Sequence, residues 1–196
     1  MQSPTLLKSL LAVALTAPLL ASAESQLVST GSATARLDFR VVIPRVLFLG
    51  VGTGAGGPAT NTTIDTVTFD YTGNSADVGT GAAANTITGN VVPVRVIGNN
   101  GQISLTATTT GALTNGTGDT IAWSEITATS NQAATLPSPA IPNTGNGSPS
   151  NVSISFGTKV TDRSANWTFG YANTALVAPG TYGTTNGRVT YTAAMP

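Results

Sequence analysis

The chain contains no histidine and no cysteine. That removes Ser-His-Asp and Cys-His nucleophilic catalysis, His-ligated zinc and most transition-metal sites from its repertoire. Carboxylates and one lysine remain. Past residue 23 the acidic side chains are Glu24, Asp38, Asp65, Asp70, Asp77, Asp119, Glu125 and Asp162, and no spacing among them singles out the acid and base pair of glycoside hydrolysis. Asp65, Asp70 and Asp77 invite a calcium reading, but the D-x-[DN]-x-[DN]-G loop is missing, and aspartates that form turns are the simpler account. Lys159 lacks an S-x-x-K motif and reads as a solvated residue at a strand end. Gly52-Thr53-Gly54-Ala55-Gly56-Gly57 satisfies G-x-G-x-x-G after a predicted strand, yet residues 58–62, Pro-Ala-Thr-Asn-Thr, follow where a helix must start to receive a pyrophosphate. A loop is the expectation there. The residues point to no enzyme, no metal and no cofactor.

Binding chemistry is equally sparse. The formal net charge is zero, and Arg36, Arg40, Arg45, Arg95, Lys159, Arg163 and Arg188 are scattered rather than gathered into the stripe that nucleic acid requires. Trp123, Trp167, Tyr71, Tyr171, Tyr182 and Tyr191 could stack on sugars, but most lie in alternating apolar registers, where packing against a sheet is the stronger reading.

These side chains must be positioned by strands. Charged residues make up only 8% of the chain, and Thr, Asn, Ser and Gly fill the polar positions, a composition suited to strands and short turns. Period-two alternation recurs while no window keeps a helical period. It predicts strands over residues 33–43, 46–51, 62–71, 86–97, 102–109, 120–129, 151–156, 167–172 and 188–194. Gly98-Asn99-Asn100-Gly101, Asn115-Gly116, Pro179-Gly180 and Asn186-Gly187 supply turns between them. Residues 50–60 and the proline-rich residues 130–150 read as long surface loops. The fold class is therefore all-β, a single antiparallel sandwich, held without disulfides.

Residues 1–23 have a basic start at Lys8, an apolar run over 10–20 and Ala21-Ser22-Ala23, the layout of a secretory signal peptide. The run is about half the roughly 20 residues of a spanning helix, and no later segment is long and apolar enough to be one. An exported product starting near Glu24 is expected, at the cell surface or outside the cell, with no transmembrane segment after cleavage.

Residues 24–44 form an extension ahead of the sandwich of residues 45–196. After a polar tail, Ala33, Ala35, Leu37, Phe39, Val41 and Ile43 fall on one face and Thr34, Arg36, Asp38 and Arg40 on the other, the cleanest alternation in the chain. Pro44 cannot donate to a ladder and can act as a fixed joint before Val46-Leu47-Phe48-Leu49. Such a strand either opens its own sheet or completes the sheet of a neighbour by β-strand addition, which propagates head to tail. The residues leave both alternatives open. The subunit-interaction set under the second is Ala35, Leu37, Phe39, Val41 and Ile43.

Residues 37–49, Leu-Asp-Phe-Arg-Val-Val-Ile-Pro-Arg-Val-Leu-Phe-Leu, resemble the donor strand, proline joint and first strand of chaperone-usher pilins of the colonisation-factor type. Pro179-Gly180-Thr181-Tyr182 with residues 187–193 is similar to the closing hairpin of those pilins and of spore-coat-U-like exported proteins. The resemblance implies an incomplete immunoglobulin-like sandwich, held by a periplasmic chaperone, passed through an outer-membrane usher and assembled into a surface fibre by donor-strand exchange, any adhesive role being secondary. The competing expectation is a monomeric secreted β-sandwich module that binds a glycan or other surface ligand.

Overall fold

The computed structural model describes residues 24–196, so the leader expected over residues 1–23 lies outside the described residues. Those residues divide into two compact units, one ending at Ile43 and the other Pro44–Pro196. The second unit contains all twelve strands: β1 (Leu47–Val51), β2 (Thr68–Asp70), β3 (Thr86–Thr88), β4 (Val91–Gly98), β5 (Ile103–Thr109), β6 (Leu113–Thr114), β7 (Thr120–Ile121), β8 (Ile126–Ser130), β9 (Gly145–Asn146), β10 (Ser150–Val152), β11 (Thr161–Tyr171) and β12 (Thr190–Ala194). No α-helix occurs among the described residues.

Two antiparallel sheets form the body. The first runs β1-β4-β11-β8 and the second β10-β5-β12, with β9 also paired to β5. Alternation decides which faces meet. Val92, Val94 and Val96 of β4, Ala165, Trp167 and Phe169 of β11, and Ile103, Leu105 and Ala107 of β5 are buried, every second residue in each strand. Val152 of β10 and Leu136 join them in the same core. Each such large side chain contributes roughly 1.5–3 kcal/mol on burial, and with no disulfide this core carries the stability. The outer face of the first sheet mixes Val91, Pro93 and Ile97 of β4 with the polar residues of β11, and Arg95 binds Asp162 across β4 and β11 with Nε–Oδ1 and Nη2–Oδ2 both at 3.1 Å.

Several expected strands are shorter or broken, for local reasons. The run over 86–97 splits into β3 and β4 at Gly89, which takes φ +68 and sits so close to the Thr66 carbonyl that a Cβ would lie 2.4 Å from it. The run over 120–129 is interrupted by a single helical turn, Trp123–Glu125, where the indole N–H of Trp123 donates to the Gly111 carbonyl at 2.7 Å. Phe156, at the end of the strand expected over 151–156, is 69% exposed, because the chain after β10 turns into a small bridge between Phe156 and Val160. Residues 33–43 carry no strand. Alternation gives such a segment a strand's faces, but a strand also needs a ladder partner, and here it has no assigned ladder.

Residues 130–150, expected as a long surface loop, are anchored in the core instead. Leu136 and Pro139 are fully buried. The Leu136 N–H donates to the Gln132 carbonyl at 2.8 Å, and the Leu136 carbonyl accepts the Ser130 hydroxyl at 2.7 Å. On the other side the Ser153 N–H donates to the Thr135 carbonyl at 2.8 Å. The segment thus binds the ends of β8 and β10 at once and plugs the flank of the sandwich between them.

Candidate functional site: the flank of the first and last strands

Several of the carboxylates weighed for chemistry are occupied locally. Asp65 accepts the Thr53 N–H at 2.7 Å and the Thr53 hydroxyl, bonds that hold its carboxyl below the usual range. Asp70 accepts the Thr72 N–H at 2.8 Å in an Asx turn, and Asp77 takes the Asn74 amide. Glu125 accepts the Thr174 hydroxyl at 2.6 Å and the Thr174 N–H at 3.0 Å, which lower its pKa. Asp65, Asp70 and Asp77 therefore do not converge, and among the described residues no group of three or more acidic side chains is placed to hold a metal ion. The glycine-rich stretch forms a helical turn, Gly52–Gly56, pinned by Asp65. It borders an open depression of about 510 Å³ on the outer face of the first sheet, whose one cation, Arg95, is already paired with Asp162.

The aromatic residues pack together. Phe69 and Tyr71 lie 6.2 and 6.0 Å from Tyr171, and Trp167 lies 5.0 Å from Tyr191. Beside the first group is a polar residue that alternation could not reveal. Asn173, 1% exposed and at φ 54, accepts the Gly79 N–H at 2.7 Å and donates to the carbonyls of Asp77 and Ala82 at 2.7 and 3.0 Å. One side chain fixes the whole 77–82 loop. Its only sequence signal is a residue type that tolerates positive φ, two residues after the end of a strand.

What remains open is the flank opposite the loop plug. β1 and β12 are terminal strands of their respective sheets, and they run in contact with each other there. Leu49 and Val51 from β1, with Tyr191, Ala193 and Met195 at the end of the chain, pack against the core only half-buried. Burial falls off toward this edge: Val94 and Val96 are 1% and 0% exposed, whereas Leu47 and Val46 are 38% and 41% exposed. Neither LFLGV nor TYTAA carries a charge or a proline, the devices that usually protect an edge from pairing. This flank, with half-buried apolar side chains between two unprotected strand edges, is termed the furrow.

Its upper end is built by the turn after β4. Asn99 donates from its side-chain amide to the Pro44 carbonyl and accepts the Val46 N–H, both at 2.8 Å, while its own backbone N–H donates to the Val46 carbonyl at 3.3 Å. Arg45 and Asn100 both donate to the Pro196 carbonyl. The entry to β1 and the exit from β12 are thereby tied to one turn.

The other unit is polar on one side and bare on the other. Glu24 pairs with Arg36 at 2.8 Å, and Gln26 accepts the Thr34 N–H at 3.0 Å, so the tail folds back about Gly31, at φ 90. The Arg36 pair is exposed and adds little stability. Leu37, Phe39, Val41 and Ile43 are 74%, 86%, 81% and 76% exposed, and Ala35 is exposed with them. All five residues expected to form the interaction set present their side chains to solvent. Comparisons with protein-family models, curated proteins and solved structures find no match.

Proposed function

We propose that this chain is a structural subunit of a bacterial surface fibre, in which residues 33–43 of one copy complete the sandwich of the next by donor-strand exchange. One observation carries the reading: the chain has both an apolar furrow bounded by two unprotected strand edges, β1 and β12, and a solvent-exposed segment with apolar side chains at every second position. In the lettering of immunoglobulin sandwiches, β1-β4-β11-β8 follows the order A-B-E-D, and β5 with β12 corresponds to C and F. The seventh strand, G, would lie beside β12, where the furrow is. A donated strand there gains main-chain bonds from an edge and seats its alternate side chains against the core. Burying Phe39 alone from its exposed state contributes about 1.5–3 kcal/mol. Because donor and acceptor are different surfaces of the same chain, the contact is heterologous and continues into a filament.

Within this reading, export follows from the leader over residues 1–23, a periplasmic chaperone covers the furrow before assembly, and an outer-membrane usher exchanges it for the donor. The work of the protein is assembly rather than catalysis.

The test compares the chain from Glu24 with one that begins at Pro44, by size-exclusion chromatography and negative-stain microscopy. Fibres or oligomer ladders that disappear on truncation are the expected result. A stable monomer from Glu24 that loses its cooperative unfolding on truncation would show that the segment is the protein's own first strand, and would direct attention to the ligands of a secreted β module.

A further inference from the structure

The furrow raises a question that strand donation alone does not answer: what prevents residues 33–43 from filling the furrow of their own molecule. The segment is joined to Pro44 and must reverse to run back along β1. A parallel arrangement beside β1 needs a crossover of a dozen or more residues, which three residues cannot supply. An antiparallel one needs only a hairpin loop, and loops of two to five residues are common. Residues 44–46 are therefore long enough to let the chain fold back.

They are not free to turn. Leu47 pairs with Gly98 at the end of the β1–β4 ladder, and the next register step places Val46 against Asn99. At that step the Asn99 side-chain amide takes the place of a peptide group: its Oδ1 receives the Val46 N–H at 2.8 Å, and its Nδ2 donates to the Pro44 carbonyl at 2.8 Å. With the backbone bond from the Asn99 N–H to the Val46 carbonyl, the ladder is carried past its regular end to Pro44. A hairpin over residues 44–46 would have to give up both side-chain bonds, and Pro44 fixes its own φ near −65° besides.

We propose that Asn99 is the positioning residue that makes strand donation intermolecular: its side chain holds Pro44–Val46 as a straight continuation of β1 and so denies residues 33–43 the return to their own furrow. The partner it selects is a second copy of this chain. The inference rests on the donor-strand reading and adds the reason that the subunit polymerises rather than closing on itself.

The experiment uses the chain from Glu24, its Asn99→Ala variant, and a variant with Gly-Gly-Ser-Gly inserted between Ile43 and Pro44. Each is followed by light scattering during size-exclusion chromatography and by hydrogen exchange over residues 33–43. The unaltered chain is expected to give an oligomer ladder. Asn99→Ala is expected to lose the ladder in favour of a monomer whose residues 33–43 are protected. The insertion leaves Asn99 and its bonds intact but provides length to turn, so it should yield the same protected monomer, and it keeps the test decisive if Asn99→Ala does not fold. Ladders from the folded variants that match the unaltered chain overturn the role of Asn99, as does an unaltered chain that is already a protected monomer. An unaltered chain that stays monomeric with residues 33–43 unprotected overturns strand donation itself.

Discussion

Trp167 and Tyr191 lie with ring centroids 5.0 Å apart, and through that contact the centre of the first sheet meets the terminal strand of the second. Trp167 is fully buried, whereas Tyr191 stands at the margin of the furrow with a hydroxyl that is shielded from solvent and has no hydrogen-bond partner. Burial pushes the Tyr191 phenol far above its ordinary value. Replacing Tyr191 by Phe should therefore leave stability unchanged or raise it, by up to about 1 kcal/mol, since it removes an unsatisfied polar group and keeps the ring. Tyr191→Ala should cost about 3–5 kcal/mol. Urea denaturation monitored by tryptophan fluorescence distinguishes them. The sign with pH follows from the raised pKa: the neutral phenol is favoured in the folded state, so its contribution is complete below the free tyrosine value of about 10 and is lost as pH rises above it. The Tyr191→Phe variant should lose less stability than the parent between neutral pH and the alkaline range.

Leu136 tests the plug. Leu136→Ala should destabilise the fold by about 2–5 kcal/mol, and removal of residues 133–149 should abolish cooperative unfolding, although the segment has no long strand. Tolerance of the deletion, measured by thermal unfolding, would mean that the flank between β8 and β10 closes without it.

Asn173→Ala should cost about 1–3 kcal/mol, because it leaves the Gly79 N–H without its acceptor, removes one of the donors to the Asp77 and Ala82 carbonyls, which keep Thr80 and Tyr71, and places a β-carbon residue other than Asn at positive φ. Asn173→Gly relieves only the backbone part. If Gly restores full stability, the hydrogen bonds to the 77–82 loop count for nothing.

At Gly52, φ is +72 and an added Cβ would lie 2.0 Å from Asp65 Oδ2. Gly52→Ala should therefore displace Asp65 from Thr53 and speed proteolytic nicking in residues 52–65. Asp65 has a lowered pKa, so the same loosening should appear in the parent chain as pH falls through the acidic range below about 4, and not above it. Limited digestion with an acid-stable protease reads both.

Phe39→Asp should eliminate assembly while leaving the thermal midpoint of Pro44–Pro196 where it was, since the Phe39 ring is 86% exposed. Fibres of normal length from this variant would count heavily against donation by residues 33–43.

Alternation was a reliable guide wherever a strand is sandwiched between two others. β4, β5 and β11 bury the residues that the period-two pattern assigns to one side, because one face meets the core and the other meets water. It failed at Phe156, where a three-residue strand ends and the chain turns out, and over residues 62–66, where polar Thr repeats give a strand's composition without a core to face. The furrow was legible only in part. The exposed segment and Pro44 can be read in the residues, but the terminal placement of β1 and β12 is a matter of topology, which pairs residues about as distant as Leu47 and Gly98. Asn99 looks like one more turn asparagine, and its reach to Pro44 depends on that pairing.

β11 lies between β4 and β8, both of which precede it in the chain, and it is the longest strand. Until residues 161–171 are available, β1 with β4 and β8 are two separate pieces of an unfinished layer, and β5 lacks its partner β12 until residue 194. Folding of both layers is thereby slowed by the long loop closures it requires. A chain ordered in this way gains little from any one local pairing and commits to its fold only when segments far apart in the chain have met.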